Sequence, residues 1–331
     1  KAFKKWGKDC ASKLYGDFAF AIWDENNKEL YCARDHVGIK PFFYTQQNGV
    51  FGFATEIKGL KALPNFKFSV NDTWVGAYIS NQCESKSETF YNEVYKLEPG
   101  HSLSANQDGI SKESYWKLDP SKTHSPRSEE TYIQEFRELL VTAVENRTRS
   151  AFPIASELSG GIDSSAIASI AWSKLKDTDR KLYSFSNVSS DENKKLYDQI
   201  DEVYWSDQVV EFAQLKNHKN IDAVGEGFFE NINEAVFAFD GPAASGFALM
   251  TDLMLKEAAK TGSRTLLSGF GGDDMVTNIY RPYYEDLINQ GKWNEAYSAI
   301  SQIHKSNKKP SLYYLLRGWL RTKGVSSNSK A

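Results

Sequence analysis

Two short runs in this chain combine glycine, hydroxyl and carboxylate side chains at spacings that suit anion chemistry. The first, Ser159-Gly160-Gly161-Ile162-Asp163-Ser164-Ser165, follows an apolar stretch and opens an alanine-rich helical pattern. Strand, glycine turn and helix start together make an anion site. Glycine lets the backbone approach a ligand, and a helix N-terminus carries about half a positive charge. The hydroxyls of Ser159, Ser164 and Ser165 add donors. The run matches neither GxxxxGK[ST] nor GxGxxG, so no lysine reaches terminal phosphates and no dinucleotide fingerprint is present. Asp163, inside the turn, would repel a phosphate unless a cation lay between them. Mg²⁺ is the natural bridge.

The second run, Ser268-Gly269-Phe270-Gly271-Gly272-Asp273-Asp274, ends another apolar stretch. If the two preceding strands lie parallel in one sheet, both acidic turns fall at the same edge, where open α/β sheets bind ligands. Asp163 and Asp273 could then hold Mg²⁺ against a triphosphate, an arrangement suited to departing pyrophosphate rather than to passing on the γ-phosphate. Gly and Asp also dominate plain turns for backbone reasons, so the second run by itself reads equally well as a turn.

The elements that must position these runs follow from periodicity. Residues 1–117 hold short aromatic and β-branched runs, "FAFAIWD", "KELYCAR", "PFFYT" and "GVFGFAT", separated by "ENNK" and "QQNG", which suit tight hairpin turns. This predicts a β-rich domain. Residues 118–130, "LDPSKTHSPRSEE", are polar with two prolines and read as a linker. Residues 131–331 form a second domain. Its first helix places Tyr132, Phe136, Leu139, Leu140 and Ala143 on one face. Strand-like "FPIASEL", "KLYSFSNV", "NIDAV" and "RTLLSG" then alternate with helical segments such as "SGFALMTDLMLKEAAKTG", which predicts a parallel sheet. The expected fold class is α/β, with an α+β N-terminal part.

Composition narrows the function classes. The chain has 331 residues, 40% hydrophobic and 25% charged, with a net charge of -3. That is about two domains' worth of chain, able to bury an ordinary core. No long basic block is present to grip a phosphate backbone, so nucleic acid is not expected as a partner. No apolar stretch approaches the ~20 residues of a membrane span. Cys10, Cys32 and Cys83 are scattered and odd in number, which indicates neither a disulfide framework nor a zinc site and fits a reducing cytoplasm.

"LSGGIDSS" (Leu158 to Ser165) resembles the SGGxDS signature of the PP-loop ATP pyrophosphatases. With "YGDFAFAIWD", "ARDHVGIKPFFY", "ATEIKGL", "LEPGHSL" and "LLSGFGGDD" in order, the chain from about Trp6 to Tyr280 is similar to the asparagine synthetase family. The resemblance implies a partial Ntn-type glutaminase-like β-rich domain followed by a PP-loop (adenine nucleotide alpha hydrolase-like) parallel-sheet synthetase domain. It implies ATP and Mg²⁺ as cofactors, adenylation of a carboxylate, release of pyrophosphate, and capture of the acyl group by an amine. Carried over by position, Ser159, Gly160, Gly161 and Ser164 would bind pyrophosphate, and Asp163 and Asp273 would ligate Mg²⁺. Leu158, Asn187, Ser268 and Gly269 would lie against the adenosine. "DGP" (Asp240 to Pro242) matches a family loop near the acceptor side.

The sequence also departs from the family. The cysteine nucleophile and the Arg, Asn-Gly-Glu and Asp positions of the glutaminase precede "YGDFAFAIWD" in the family and are absent here. The chain opens on Lys1 rather than methionine and stops at Ala331, short of the family's long helical continuation, so a chain truncated at both ends is expected, or a domain kept as a scaffold. Cys10 and Cys32 read as small structural residues, and His36 as part of a turn. Lys292 and Lys305 read as solvated helix residues, so no catalytic lysine is nominated. Phe270 stands where the family's glutamine-dependent members usually carry glutamate, and phenylalanine does no acid–base work. That change points towards relatives using a preformed amine, such as the lasso-peptide cyclases. The carboxylate is then aspartate or an Asp or Glu side chain of a precursor peptide, and the amine is glutamine-derived ammonia or a peptide N-terminus. A non-catalytic nucleotide- or partner-binding relative is the alternative.

Overall fold

The structure, a computed structural model, describes the chain except for residues 81, 83–84, 120–121, 123–126, 189–202, 223–231, 243–245, 274–275, 277–279, 304–310 and 323–331. Cys83, Asp274 and Lys305 lie outside the described residues. The chain divides into two compact units, 1–128 with 227–249, and 129–226 with 250–331.

The first unit opens with short helices α1 (Ala2–Trp6) and α2 (Cys10–Lys13), then β1 (Ala19–Asp24), β2 (Glu29–Arg34), β3 (Phe43–Gln47) and β4 (Val50–Ala54). Helices α3 (Ile57–Lys61) and α4 (Asp72–Ile79) precede β5 (Tyr95–Lys96), β6 (His101–Asn106) and β7 (Gly109–Ser114). One antiparallel sheet runs β1-β2-β6-β7 and a second runs β4-β3-β5. The expected turns form for the expected reason. Gln47 pairs with Val50 across Asn48 and Gly49, whose φ values of 52° and 77° are those of a two-residue hairpin.

Alternation along β2 serves two cores, because successive strand residues face opposite ways. Cys32 joins Phe42, Tyr44, Leu97 and Leu103, while Tyr31 and Ala33 pack with Cys10 and Ala11. Both cysteines are buried thiols, and His36 stacks edge-on against Phe18, Tyr115 and Trp116.

The second unit begins with α5 (Glu129–Arg147), β8 (Ile154–Glu157), α6 (Ile162–Leu175), β9 (Leu182–Val188), α7 (Val203–Ala213) and β10 (His218–Asp222). Helix α8 (Ile232–Phe239) belongs to the first unit, and the chain then continues with α9 (Gly246–Lys260), β11 (Thr265–Leu267), α10 (Tyr280–Asn289), α11 (Trp293–Ile303) and α12 (Ser311–Thr322). The second unit's sheet is parallel, in the order β10-β9-β8-β11. The faces are covered differently. Ile154, Leu158, Ala168, Ala171, Leu175 and Leu182 form one core with Val144, and Ala155, Phe185 and Ile221 meet Met254 and Ala258 of α9. Side chains of α10 and α11 pack together through Tyr284, Leu287, Ile288, Ala296 and Ile300.

One expectation needs correction. Of the apolar face expected on α5, Leu140 packs against the core but Leu139 is 70% exposed and Tyr132 and Phe136 are also exposed. The line that reaches the core is the partly buried Leu140, Val144 and, just past the helix end, Thr148, one turn apart, so the first turns of the helix contribute little to the core. By their contacts, residues 227–249 group with the first unit.

Asp240 accounts for the local packing of that segment. Its carboxylate accepts the backbone N–H groups of Ile57 (2.7 Å) and Lys58 (2.9 Å), the first residues of α3. Glu56, directly before α3, supplies no side-chain cap. The Lys58 ammonium donates to the carbonyls of Phe237 (3.0 Å) and Ala238 (3.3 Å), and the Tyr78 hydroxyl donates to that of Pro242 (3.3 Å).

Candidate functional site

The "LSGGIDSS" turn lies at the C-terminal end of β8, where the parallel sheet releases its chain into α6. Leu158 belongs to the core: its side chain is 1% exposed, its N–H donates to Phe185 O (2.8 Å), and its carbonyl accepts the Ser186 hydroxyl. It can offer a ligand only backbone. Gly160 has φ +85°, and a β-carbon there would stand 2.5 Å from the Trp205 β-carbon and 2.6 Å from Ser206 N. Glycine at 160 therefore answers both a left-handed backbone and the close approach of the α7 N-terminus.

The serines brace this turn. Ser159 N–H donates to Ser164 Oγ (3.1 Å), the two hydroxyls are 3.0 Å apart, and Gly161 N–H donates to Ser159 Oγ (3.2 Å). No side chain caps α6, whose N-cap is Gly161 and whose first turn contains Asp163. The first N–H groups of a 14-residue helix thus end in the turn without a side-chain acceptor, as an anion site needs. Ser165, expected as a further donor, has a buried Oγ with no hydrogen-bond partner. It lines a groove of about 390 Å³ between α6 and α7 with Gly160, Ala166, Ser169, Trp205 and Phe212.

The second run meets the first. A β-carbon on Gly269 would stand 2.9 Å from Ser164 N, and one on Gly272 would stand 2.5 Å from Asp163 Oδ2 and 2.7 Å from Oδ1. Asp273 follows Gly272 directly and is exposed. The two turns are therefore packed backbone to side chain at one sheet edge, as the parallel register of β11 with β8 requires. Asn187 sits exposed at the end of β9, level with Ile221 of β10.

A residue that sequence reasoning missed joins the turns. The Ser268 hydroxyl donates to the Glu157 carboxylate and accepts the Phe270 N–H (3.1 Å), so one serine ties β8 to the glycine turn. The signal was a carboxylate at the last residue of a strand whose other residues, Ile154, Ala155 and Ser156, are buried. Phe270 itself is 96% exposed.

Among the described residues no group of three or more His, Cys, Asp and Glu side chains gathers as a metal centre. Two carboxylates beside a glycine turn at a helix N-terminus would suit Mg²⁺ if phosphate oxygens and water completed its shell. No helix among the described residues is long and apolar enough to cross a membrane.

Residues 1–116 match the family described as glutamine amidotransferase domain, and residues 135–329 match asparagine synthase. The chain is 31% identical over 248 residues to asparagine synthetase [glutamine-hydrolyzing] 3 of Bacillus subtilis, covering 73% of this chain and 40% of that protein. It is 34% identical over 286 residues to asparagine synthetase [glutamine-hydrolyzing] 1 of the same organism, covering 84% and 42%. With amidase chyE of Penicillium rubens it shares 32% identity over 298 residues, covering 87% and 43%. The chain thus spans about two-fifths of the length of these curated relatives.

Proposed function

The chain belongs to the asparagine synthase family, and from that premise we propose that it is an ATP-dependent ligase that joins a carboxylate to an amine. A carboxylate oxygen attacks the α-phosphorus of ATP and pyrophosphate leaves. The amine nitrogen then attacks the acyl carbon, AMP leaves with the C–O electron pair, and the amine proton is lost to solvent. The observation that carries this reading is the meeting of the two turns, which sets Asp163 against Gly272 beside Asp273.

Each residue then has a physical task. The N–H groups at the start of α6 and the hydroxyls of Ser159 and Ser164 hold departing pyrophosphate, with Gly160 and Gly161 giving the turn the backbone it needs. Asp163 and Asp273 would hold Mg²⁺, which when bound offsets the negative charge of the phosphates. The ends of β8, β9 and β11, with Leu158 backbone, Asn187, Ser268 and Gly269, border the adenosine. Such a site gains rate by positioning the carboxylate in line with the α-phosphorus and by excluding water from the acyl-adenylate.

The family match of residues 1–116 supports ammonia from glutamine as the amine. The test is pyrophosphate release from ATP and Mg²⁺ by the intact protein, with aspartate plus glutamine in one reaction and a precursor peptide bearing an Asp or Glu side chain in another. Release that vanishes in Asp163→Ala establishes the ligase and assigns its acceptor class. ATP binding without release in either reaction overturns it in favour of a non-catalytic relative.

A further inference from the structure

Phe270 occupies the tip of the second turn with nearly all of its side chain in water, at 96% exposure. Single exposed hydrophobic residues are ordinary on protein surfaces and by themselves mean nothing. This one differs in its mounting. Its N–H is held by Ser268 Oγ (3.1 Å), that hydroxyl is held by the Glu157 carboxylate, and Gly272 N–H donates to Gly269 O (3.0 Å) across it. Gly269, directly before it, packs against Ser164 N and the Asp163 β-carbon, and Gly272, two residues after it, packs against the Asp163 carboxylate. The ring therefore projects from a braced turn whose neighbours carry the phosphate and metal chemistry, rather than from a loose loop.

We infer that Phe270 is a specificity-determining residue that receives an apolar group of the acyl substrate, next to the carboxylate being activated. The inference rests on the ligase reading above and names its substrate class: a carboxylic acid with a hydrophobic substituent, not free aspartate with its charged ammonium and second carboxylate. A phenyl ring offers no hydrogen bond to replace the water stripped from such charges. Against an apolar group it removes hydrocarbon from water on both sides, which favours that group over a charged one.

The test follows binding and turnover together on the intact protein with ATP and Mg²⁺. Aspartate is compared with 3-phenylpropanoate and 4-methylpentanoate, by ligand-observed NMR for binding and by pyrophosphate release for turnover. The apolar acids are expected to bind at least about tenfold more tightly than aspartate. Phe270→Glu is expected to abolish that preference through KM rather than kcat, and Phe270→Leu, checked by circular dichroism for folding, to retain it. Equal affinity for all three acids, no affinity for the apolar ones, or an unchanged preference in Phe270→Glu overturns the assignment. Selective binding without any pyrophosphate release leaves Phe270 in its role and overturns the adenylation reading instead.

Discussion

Asp163 and Gly272 lie against each other so closely that a β-carbon on the glycine would stand 2.5 Å from one carboxylate oxygen and 2.7 Å from the other. Gly272→Ala must therefore displace the Asp163 carboxylate or the turn that carries Asp273. Misplacing a reacting group by about 1 Å costs on the order of 100-fold in rate, and pyrophosphate release is expected to fall by that much. Initial rates, read beside a thermal melt, separate this from unfolding. A natural rate in the variant would show that the carboxylate position is immaterial.

Ser268 is both donor to Glu157 and acceptor for Phe270 N–H, so the two turns lose a shared brace in Ser268→Ala. The loss is expected to cost about 1 kcal/mol in denaturant unfolding. A double-mutant cycle with Glu157→Ala should return a coupling of about 0.5 kcal/mol or more, because the residues touch. Additive effects would mean that the contact contributes nothing to stability.

Asp240 caps α3 from 183 positions away in the chain, and its own φ is +57°. Asp240→Ala loses the cap and puts a poorly suited residue in the left-handed region, for an expected cost of about 1–2 kcal/mol. Asparagine tolerates that backbone and its side-chain oxygen still accepts, so Asp240→Asn should cost less. Thermal melts rank the two variants, and equal losses would remove the capping explanation.

Burial pushes the Cys32 thiol up from 9.0 to about 12, and the Tyr31 and Tyr44 hydroxyls up from 10.0 to about 12. Raised acids stay neutral in the fold while the unfolded chain ionises, so their contribution is whole below pH 9 and drains away as pH climbs from 9 towards 12. The first unit should lose stability across that window, seen in denaturant titrations at stepped pH. Alkylation at Cys32, followed by site-resolved mass spectrometry, should be slow at pH 9 until denaturant is added. Fast labelling of the folded protein would contradict the burial.

Much of the site was legible because its cause is local. The Ser159 to Ser164 turn needs glycine for its backbone, hydroxyls for its bracing and a helix to follow, all within a few residues. The Asn48-Gly49 hairpin and the four parallel strands were legible for the same reason. Glu157 escaped because its partner Ser268 is 111 positions away, so the carboxylate at the strand end shows in the sequence but what it binds does not.

By itself, then, the sequence determined the two acidic glycine turns, the strands that carry them and the change from hairpins to alternating strands and helices, since periodicity and turn chemistry act over a few residues. Tertiary structure alone decided that Leu140 and Val144 face the core while Leu139 faces water, that residues 227–249 join the first unit, and that Asp240 closes α3. Those outcomes depend on which surfaces meet after the chain closes on itself. A helix face or a lone carboxylate does not record its partner in its own neighbourhood.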